Sequence, residues 1–334
     1  WRPDNGFDIR LTDLKDAKLR RNDQGLPLGE IYEETFLVEE FEKEHKIRIK
    51  GNPNLGQVKI AMIGVRNPVG GQTSPLNTEV WFNELRLTGL DERGGAAAVG
   101  RVDMQLADFG SVTLAGNISS IGFGALDEKV QERQRERITG YDLAVNFQLG
   151  QFFPTNWGIR LPFYGQLSNT TETPEFDPYD EDVLVTEKVA RADDTQARDS
   201  IRQVTQTTNT IKSFNFTNVR KERTNNNKKP MPWDVENFSV SYAFTDAERR
   251  DPLIEFDRQE SHTGGLDYNF NRQVNYVEPF KGIDSKFLQL LSQFNFNPLP
   301  NSFNFSSQLD RRINTTRYRF TGLEERFNTF FNKQ

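Results

Sequence analysis

From Gly94 onward the chain consists of short segments in which apolar and polar residues alternate strictly. Val102, Met104 and Leu106 alternate with Arg101, Asp103 and Gln105; after the tight turn Asp108-Phe109-Gly110, Val112, Leu114, Gly116 and Ile118 alternate with Thr113, Ala115, Asn117 and Ser119. The same pattern returns in Tyr141–Leu149, Trp157–Tyr164, Ser213–Thr217, Asn237–Phe244, Leu266–Asn271, Gln293–Asn297 and Ser302–Ser306. A period of two sends successive side chains to opposite faces of a sheet. Each segment therefore reads as a strand with one apolar and one polar face, and the first two form a hairpin.

The polar face narrows the fold class. It is made of Asn, Gln, Ser, Thr and Asp, with few of the long Lys and Glu chains that coat soluble sheets. A water-filled lumen suits such small polar groups. The mean hydropathy is low, -0.71, yet the chain carries 27 Phe. A transmembrane barrel reconciles the two, because only alternate strand residues meet lipid and long loops add polarity. Phe109, Phe152, Phe153, Trp157 and Trp233 fall at strand ends, as interfacial aromatic girdles do. Gly140 to Gly150 is close to the ~9–11 residues that cross a bilayer when tilted. The expected fold is all-β: an arc of a large antiparallel transmembrane barrel over residues 94–334, with roughly ten strands. By alternation alone, a large soluble β-sandwich or β-helix remains open.

Residues 1–90 read differently. Gly25-Leu26-Pro27 is a turn, and Glu39, Glu40, Glu42, Lys43 and Glu44 suggest a solvated face. Strand signals follow at His45–Ile49, Gln57–Val65 and Thr78–Leu87, punctuated by Gly51-Asn52-Pro53-Asn54 and by Asn67-Pro68 through Gly70-Gly71. Val58–Ile63 is small or apolar on both faces apart from Lys59, which suits a strand inside a packed sandwich. A small jelly-roll-like β-sandwich is expected here. The chain opens at Trp1 without an initiator Met, so we expect it to be cut from a longer polypeptide, and its lack of a signal segment carries no information about export.

Long polar loops are expected at 122–138, 172–210 and 220–234. The first is charged from Asp127 to Arg137; the second opens acidic, with Glu175, Asp177, Asp180, Glu181 and Asp182, and turns helical over Val185–Val204. Tight turns at one rim and long loops at the other would match outer-membrane barrels. Ser285–Ser292 suggests one or two helical turns packed on the barrel.

The chemistry-bearing residues are sparse. Cysteine is absent and only His45 and His262 are present, which removes disulfides, thiolate sites and most general-base schemes. With a net charge of -6, a nucleic-acid partner is not expected. Asp177–Asp182 could hold calcium but lacks the glycine and terminal Glu of an EF-hand loop, so a solvated acidic loop is the plainer reading. Asn83-Glu84 could bind calcium at a jelly-roll strand end. Gly122-Phe123-Gly124 is a turn without the dinucleotide fingerprint. His262 beside Ser261 makes no triad and reads as a structural or interfacial histidine. Asn169-Thr170-Thr171 and Asn304-Phe305-Ser306 match glycosylation sequons of the kind that arise by chance. No catalytic residue, metal site or cofactor is expected, and the chain reads as not an enzyme.

Five stretches carry a resemblance to a known family: Val80–Leu87 (VWFNELRL), Leu106–Gly110 (LADFG), Phe152-Phe153-Pro154, Phe214–Lys221 (FNFTNVRK) and Glu236–Tyr242 (ENFSVSY). In this order they resemble the SprA (Sov) family, outer-membrane translocons of the type IX secretion and gliding-motility system of Bacteroidetes. The resemblance implies a single-chain barrel of very many strands in the bacterial outer membrane. Through it, folded cargo proteins with a C-terminal sorting domain would pass from periplasm to cell surface, and partner proteins would plug or gate it. It also implies that residues 1–90 are a soluble domain set between barrel strands. On this reading Asp142, Asn146, Gln148, Ser239, Ser241, Asp267 and Asn269 face the lumen. Leu143, Val145, Phe147, Val240, Tyr242 and Phe270 face lipid. The rival readings are an outer-membrane nutrient or adhesin barrel with a carbohydrate-binding module, and a soluble secreted β-protein that binds polysaccharide.

Overall fold

The computed structural model describes residues 9–38, 43–65, 77, 79–82, 85–89, 92–129, 132–225, 229–272, 276–282, 287, 288, 290, 293–298 and 300–333. A helix, α1 (Leu11–Asp23), leads into β1 (Tyr32–Val38) and β2 (Lys43–Ile49). Next come β3 (Ala97–Leu106), β4 (Gly110–Ser119), β5 (Glu136–Gln148), the short β6 (Ile159–Arg160) and β7 (Pro162–Pro174). An excursion holds β8 (Phe176–Asp177), β9 (Asp180–Leu184), α2 (Val185–Arg191) and α3 (Thr195–Thr205). The chain finishes with β10 (Thr207–Lys221), β11 (Phe238–Arg250), β12 (Ile254–Asn271), β13 (Ser302–Tyr318) and β14 (Glu324–Lys333).

Two units separate: residues 1–94, 124–135 and 174–205 form one, and residues 95–123, 136–173 and 206–334 the other. In the first, α1 follows from Asp13 in its first turn and Arg20 and Arg21 in its last, which oppose the helix dipole. It stops where Gly25 takes φ +64°. There the Leu26 and Gly25 amides donate to the Arg21 and Asn22 carbonyls, a glycine-terminated cap that needs the left-handed conformation. Ala17 of α1 packs with Ile47 and Ile49 of β2, flanked by Leu14 and Tyr32. Ile47 and Ile49 each contribute about 1.5–3 kcal/mol and the Ala17 methyl less, so this core is small and polar contacts must supply the rest.

The second unit is one sheet of ten strands, in the order β14-β13-β12-β11-β10-β7-β5-β4-β3, with β6 on β10. Neighbours in this order follow one another along the chain, the β8–α3 excursion aside, so the sheet is an up-and-down meander. The registers of β3–β4, β4–β5, β7–β10 and β10 through β14 are antiparallel. The strands reach 18 residues in β12, roughly 60 Å of extended chain. A bulge between Phe216 and Val219 interrupts β10, where Asn218 has φ +58° and its amide donates to Ser241 Oγ at 2.9 Å. Among the described residues β3 and β14 pair on one side only, and no helix is long and apolar enough to cross a membrane.

Several expectations need correction. The jelly-roll-like sandwich does not form among the described residues: 58–65 carries no strand, nor do the described residues of 78–87. Ile60 and Met62 stand 80% and 92% exposed. A strand apolar on both faces requires a layer on each side, and the described part of this unit offers three helices and two small two-stranded sheets. Asn83-Glu84, most of Glu39–Glu44, Asn67–Gly71 and most of Ser285–Ser292 lie outside the described residues. Within the expected 172–210 loop, Val185–Val204 is helical as expected, in α2 and α3, while the acidic opening folds into β8 and β9 instead of a solvated loop. Gln293–Asn297 forms no strand, only the bridge Val277–Phe296. Long connections leave both rims: 120–135 and 175–206 at one, 222–237 and 272–301 at the other, with the short 107–109 and 251–253 divided between them.

Candidate functional site

The sheet has two chemically distinct faces, and the registers carry each across successive strands as far as β12; on β13 Arg311 stands on the apolar face opposite His262. Directly opposed residues in an antiparallel pair share a face. Val102 opposes Leu114, which opposes Leu143; Met104 opposes Val112, which opposes Val145. A Cβ built on Gly165 would meet Val145 Cγ2 at 3.1 Å, which places β7 on the same face through Gly165. The row continues through Phe214, Phe244 and His262, and a second runs Phe216–Tyr242–Gly264–Leu309. Phe238 opposes Tyr268, which opposes Phe305, and Phe270 opposes Phe303. Cross-strand rings sit at centroid distances of 5.0 Å (Phe238–Tyr268), 5.2 Å (Phe163–Phe216) and 5.2 Å (Phe214–Phe244), the range of favourable aromatic pairs.

Much of this apolar face is open. Val102, Val240 and Phe305 are each about half exposed, whereas Phe270 at its margin is buried. A charged row bounds the face. Leu167 opposes Lys212, which opposes Asp246, which opposes Glu260. Beyond that row Glu248, Arg250 and Arg258 continue on the same side, and Arg258 holds Asp246 through two hydrogen bonds of 2.8 and 3.0 Å. On β11 the apolar belt runs from Phe238 to Phe244, about 20 Å along the strand. Leu143, Val145, Phe147, Val240, Tyr242 and Phe270 all lie on this one face.

The opposite face carries Asp142, Asn146, Gln148, Ser239, Ser241, Asp267 and Asn269. Its groups bond across strands: Thr113 to Asp103 at 2.6 Å, Ser306 to Asp267 at 2.6 Å and Thr263 to Asp310 at 2.7 Å. Such short polar pairs hold register without long charged chains. The pattern breaks on β14, where Phe327 and Phe331 stand on the polar face opposite Asn314 and Asp310.

The acidic run Asp177–Asp182 belongs to the other unit, and its structure replaces the solvated loop with a set of withdrawn ion pairs. Lys18 Nζ lies 2.5 Å from Asp180 and 2.8 Å from Asp182. Asp177 is fully buried, pairs with Lys188 and accepts the Tyr179 amide at 2.9 Å. Glu181 accepts from Asn54 and Gln57 at 2.9 and 3.0 Å. Buried Glu175 takes Arg93 at 2.9 Å and Arg135 at 3.2 Å. Burial pushes the Asp180 carboxyl above the usual aspartate range. Burial also acts to raise Asp182, but the hydrogen bonds from Lys18 and with Asp180 outweigh it and hold that carboxyl low. These carboxylates are engaged by protein cations and amides, so calcium would have to displace lysines. Among the described residues no His, Asp or Glu group is arranged to hold a metal.

Other singled-out residues sit within ordinary structure. His262 lies on the apolar face with Nδ1 3.0 Å from the Tyr242 hydroxyl and its ring 4.9 Å from Phe244, while Ser261, its neighbour in sequence, points to the other face. Gly122 turns with φ +84°. Asn169 lies in β7, its amide donating to Thr210 at 2.9 Å, and Asn304 lies in β13. Phe109 stacks on Phe147 at 5.0 Å and meets Phe152 at 5.1 Å; Phe153 stacks on Trp157 at 6.1 Å. With Trp233 these rings lie on connections of one rim. Sequence reasoning missed Lys15 and Lys18, which reach Glu187, Asp180 and Asp182 across more than 160 residues. The detectable signal was local: a capped helix whose lysines have no acidic partner at helical spacing on their own face.

A family model described as motility related/secretion protein, SprA_N, matches residues 1–189 of the 334. No curated protein matches the chain.

Proposed function

The chain belongs to the SprA_N family of motility related/secretion proteins, and from that premise we propose that its ten-stranded sheet is an arc of an outer-membrane β-barrel that conducts protein. The single observation that carries the reading is the apolar belt, open along one face and cut off by the charged row Lys212–Asp246–Glu260. Exposed apolar area on this scale is costly in water and marks a membrane or partner surface. Its extent along β11 is comparable to the ~25 Å lipid band of outer-membrane barrels. A β-wall satisfies its backbone between strands, which is why it can cross lipid without a helix. The further strands of a closed barrel would cover the β3 and β14 edges, because open edges are not tolerated in lipid.

On this reading the belt faces lipid and the Asn, Ser, Gln and Asp face lines a water-filled lumen. The mechanism is passive. Small hydrogen-bonded polar groups present few long chains that could snag a folded passenger, and no residue performs chemistry on it. The passengers are secreted proteins with a C-terminal sorting domain, and plug or gating proteins control the pore; both come from the family resemblance. A photo-cross-linking residue placed at Ser241 in the full-length protein in cells should capture a stalled secreted protein, and the same residue at Val240 should capture none. Adducts at Val240 but not at Ser241 would reverse the face assignment, and cargo at neither would remove the channel reading.

A further inference from the structure

We infer that the described parts of the connection from β12 to β13, residues 276–282 and 293–298, form a membrane-interface element that rests in the headgroup region of the bilayer; this deepens the wall reading and rests on it. The described part of the connection is aromatic and open: Tyr276 is 60% exposed, Phe287 98% and Leu290 90%. Phe280, Phe294 and Phe296 form a ring cluster with centroids 6.3 and 6.1 Å apart, closed by the Val277–Phe296 bridge. The Lys281 ammonium lies 2.6 Å from Glu278, so these two charges offset each other inside the element.

Three observations select a phospholipid surface as the occupant. The connection joins β12 and β13, whose apolar-face residues nearest to it are the opposed pair Phe270 and Phe303, so it adjoins the belt. It leaves from the rim whose other connections carry the exposed rings Phe152, Trp157 and Trp233, and aromatic side chains concentrate at membrane interfaces because one end is apolar and the other wet. Residues 272–301 are also sparser in Asp, Glu, Lys and Arg than the other long connections, 120–135, 175–206 and 222–237. A connection low in charge and carrying open rings fits a place in the interface.

The test uses the full-length protein in phosphatidylcholine vesicles, with an environment-sensitive NBD fluorophore on a cysteine introduced at Phe294, and separately at Phe280. Val145→Cys and Asn146→Cys serve as references. Nitroxide-labelled phosphatidylcholine should quench the Phe294 and Phe280 probes to a loss comparable to that at Val145, with little loss at Asn146. Quenching at Val145 without quenching at either connection site would overturn the inference and leave the wall standing, as a protein occupant or plain water would produce. An unquenched Val145 probe would overturn the wall reading and the inference with it. Using two connection sites protects the test from a single variant that fails to assemble.

Discussion

Lys18 Nζ lies 2.8 Å from Asp182 Oδ1, with 2% and 5% of the two side chains exposed. Asp180 shares the same ammonium, so one lysine of α1 offsets two carboxylates contributed by a hairpin more than 160 residues away. Removing one partner of a buried pair costs about 3–5 kcal/mol, because the remaining charge is left uncompensated. Lys18→Met should therefore strip hydrogen-exchange protection from α1 and from residues 180–191. Adding Asp180→Asn and Asp182→Asn to that variant should restore most of it. Unchanged protection in Lys18→Met would show that the pair does not hold the unit together.

The same cluster sets a pH dependence with two opposing parts. Asp180 is held above the usual aspartate range by burial, so the folded state binds its proton more readily than the unfolded chain. Its unfavourable contribution is present at neutral pH and disappears as pH falls through its raised value. Asp182 is held low, with Lys18 and Asp180 outweighing burial. Its favourable contribution is present above the unfolded value of about 3.9 and is lost as pH falls through its depressed folded value. Exchange protection of α1 should thus hold steady or rise slightly from pH 7 toward 5 and collapse only below about 4. A steady fall beginning near pH 6 would contradict this.

Gly158 tests the rim. It takes φ +62°, and a Cβ there would lie 2.3 Å from the Glu222 carbonyl oxygen, while the Glu222 amide donates to the Gly158 carbonyl at 2.6 Å. Gly158→Ala combines about 1–2 kcal/mol of left-handed strain with a backbone clash. The full-length protein in detergent should melt at a lower temperature than wild type, whereas Gly100→Ala, with open space around its Cβ, should melt close to it.

The two faces respond differently to charge. Val240→Arg places a guanidinium in the middle of the apolar belt, where about 2–4 kcal/mol is lost if the belt meets lipid. Ser239→Arg, one residue away on the polar face, should leave thermal stability in membranes nearly unchanged. Equal loss from both variants would mean that neither face is bathed in water.

Strand alternation was readable because it is local. Leu143 and Asp142 differ in face for the same reason wherever a strand occurs, and the registers join those faces into continuous rows. In the 174–205 excursion the helical stretch was legible, but the acidic β8–β9 hairpin was hidden, because its charges look like a solvated loop until Lys18, Arg93 and Arg135 are brought to them from distant sequence. Among the described residues the strands expected at 58–65 and 78–87 are missing for the converse reason. Ile60 and Met62 have strand-like neighbours in sequence, but burial depends on a second layer that no local pattern guarantees. The bulge at Asn218 was likewise silent, since asparagine tolerates the left-handed region but only a minority of asparagines adopt it. The distribution of long connections between rims depends on strand count and order, which alternation alone does not fix.

The central claim is that the apolar face of the sheet meets lipid and the polar face meets water. Nitroxide side chains at Val145 and Asn146, neighbours on opposite faces of β5, measure this in the full-length protein reconstituted in bilayers. Power saturation should show the Val145 label accessible to oxygen and shielded from a water-soluble nickel chelate, and the Asn146 label the reverse. Equal accessibility of the two labels to both reagents would contradict the account.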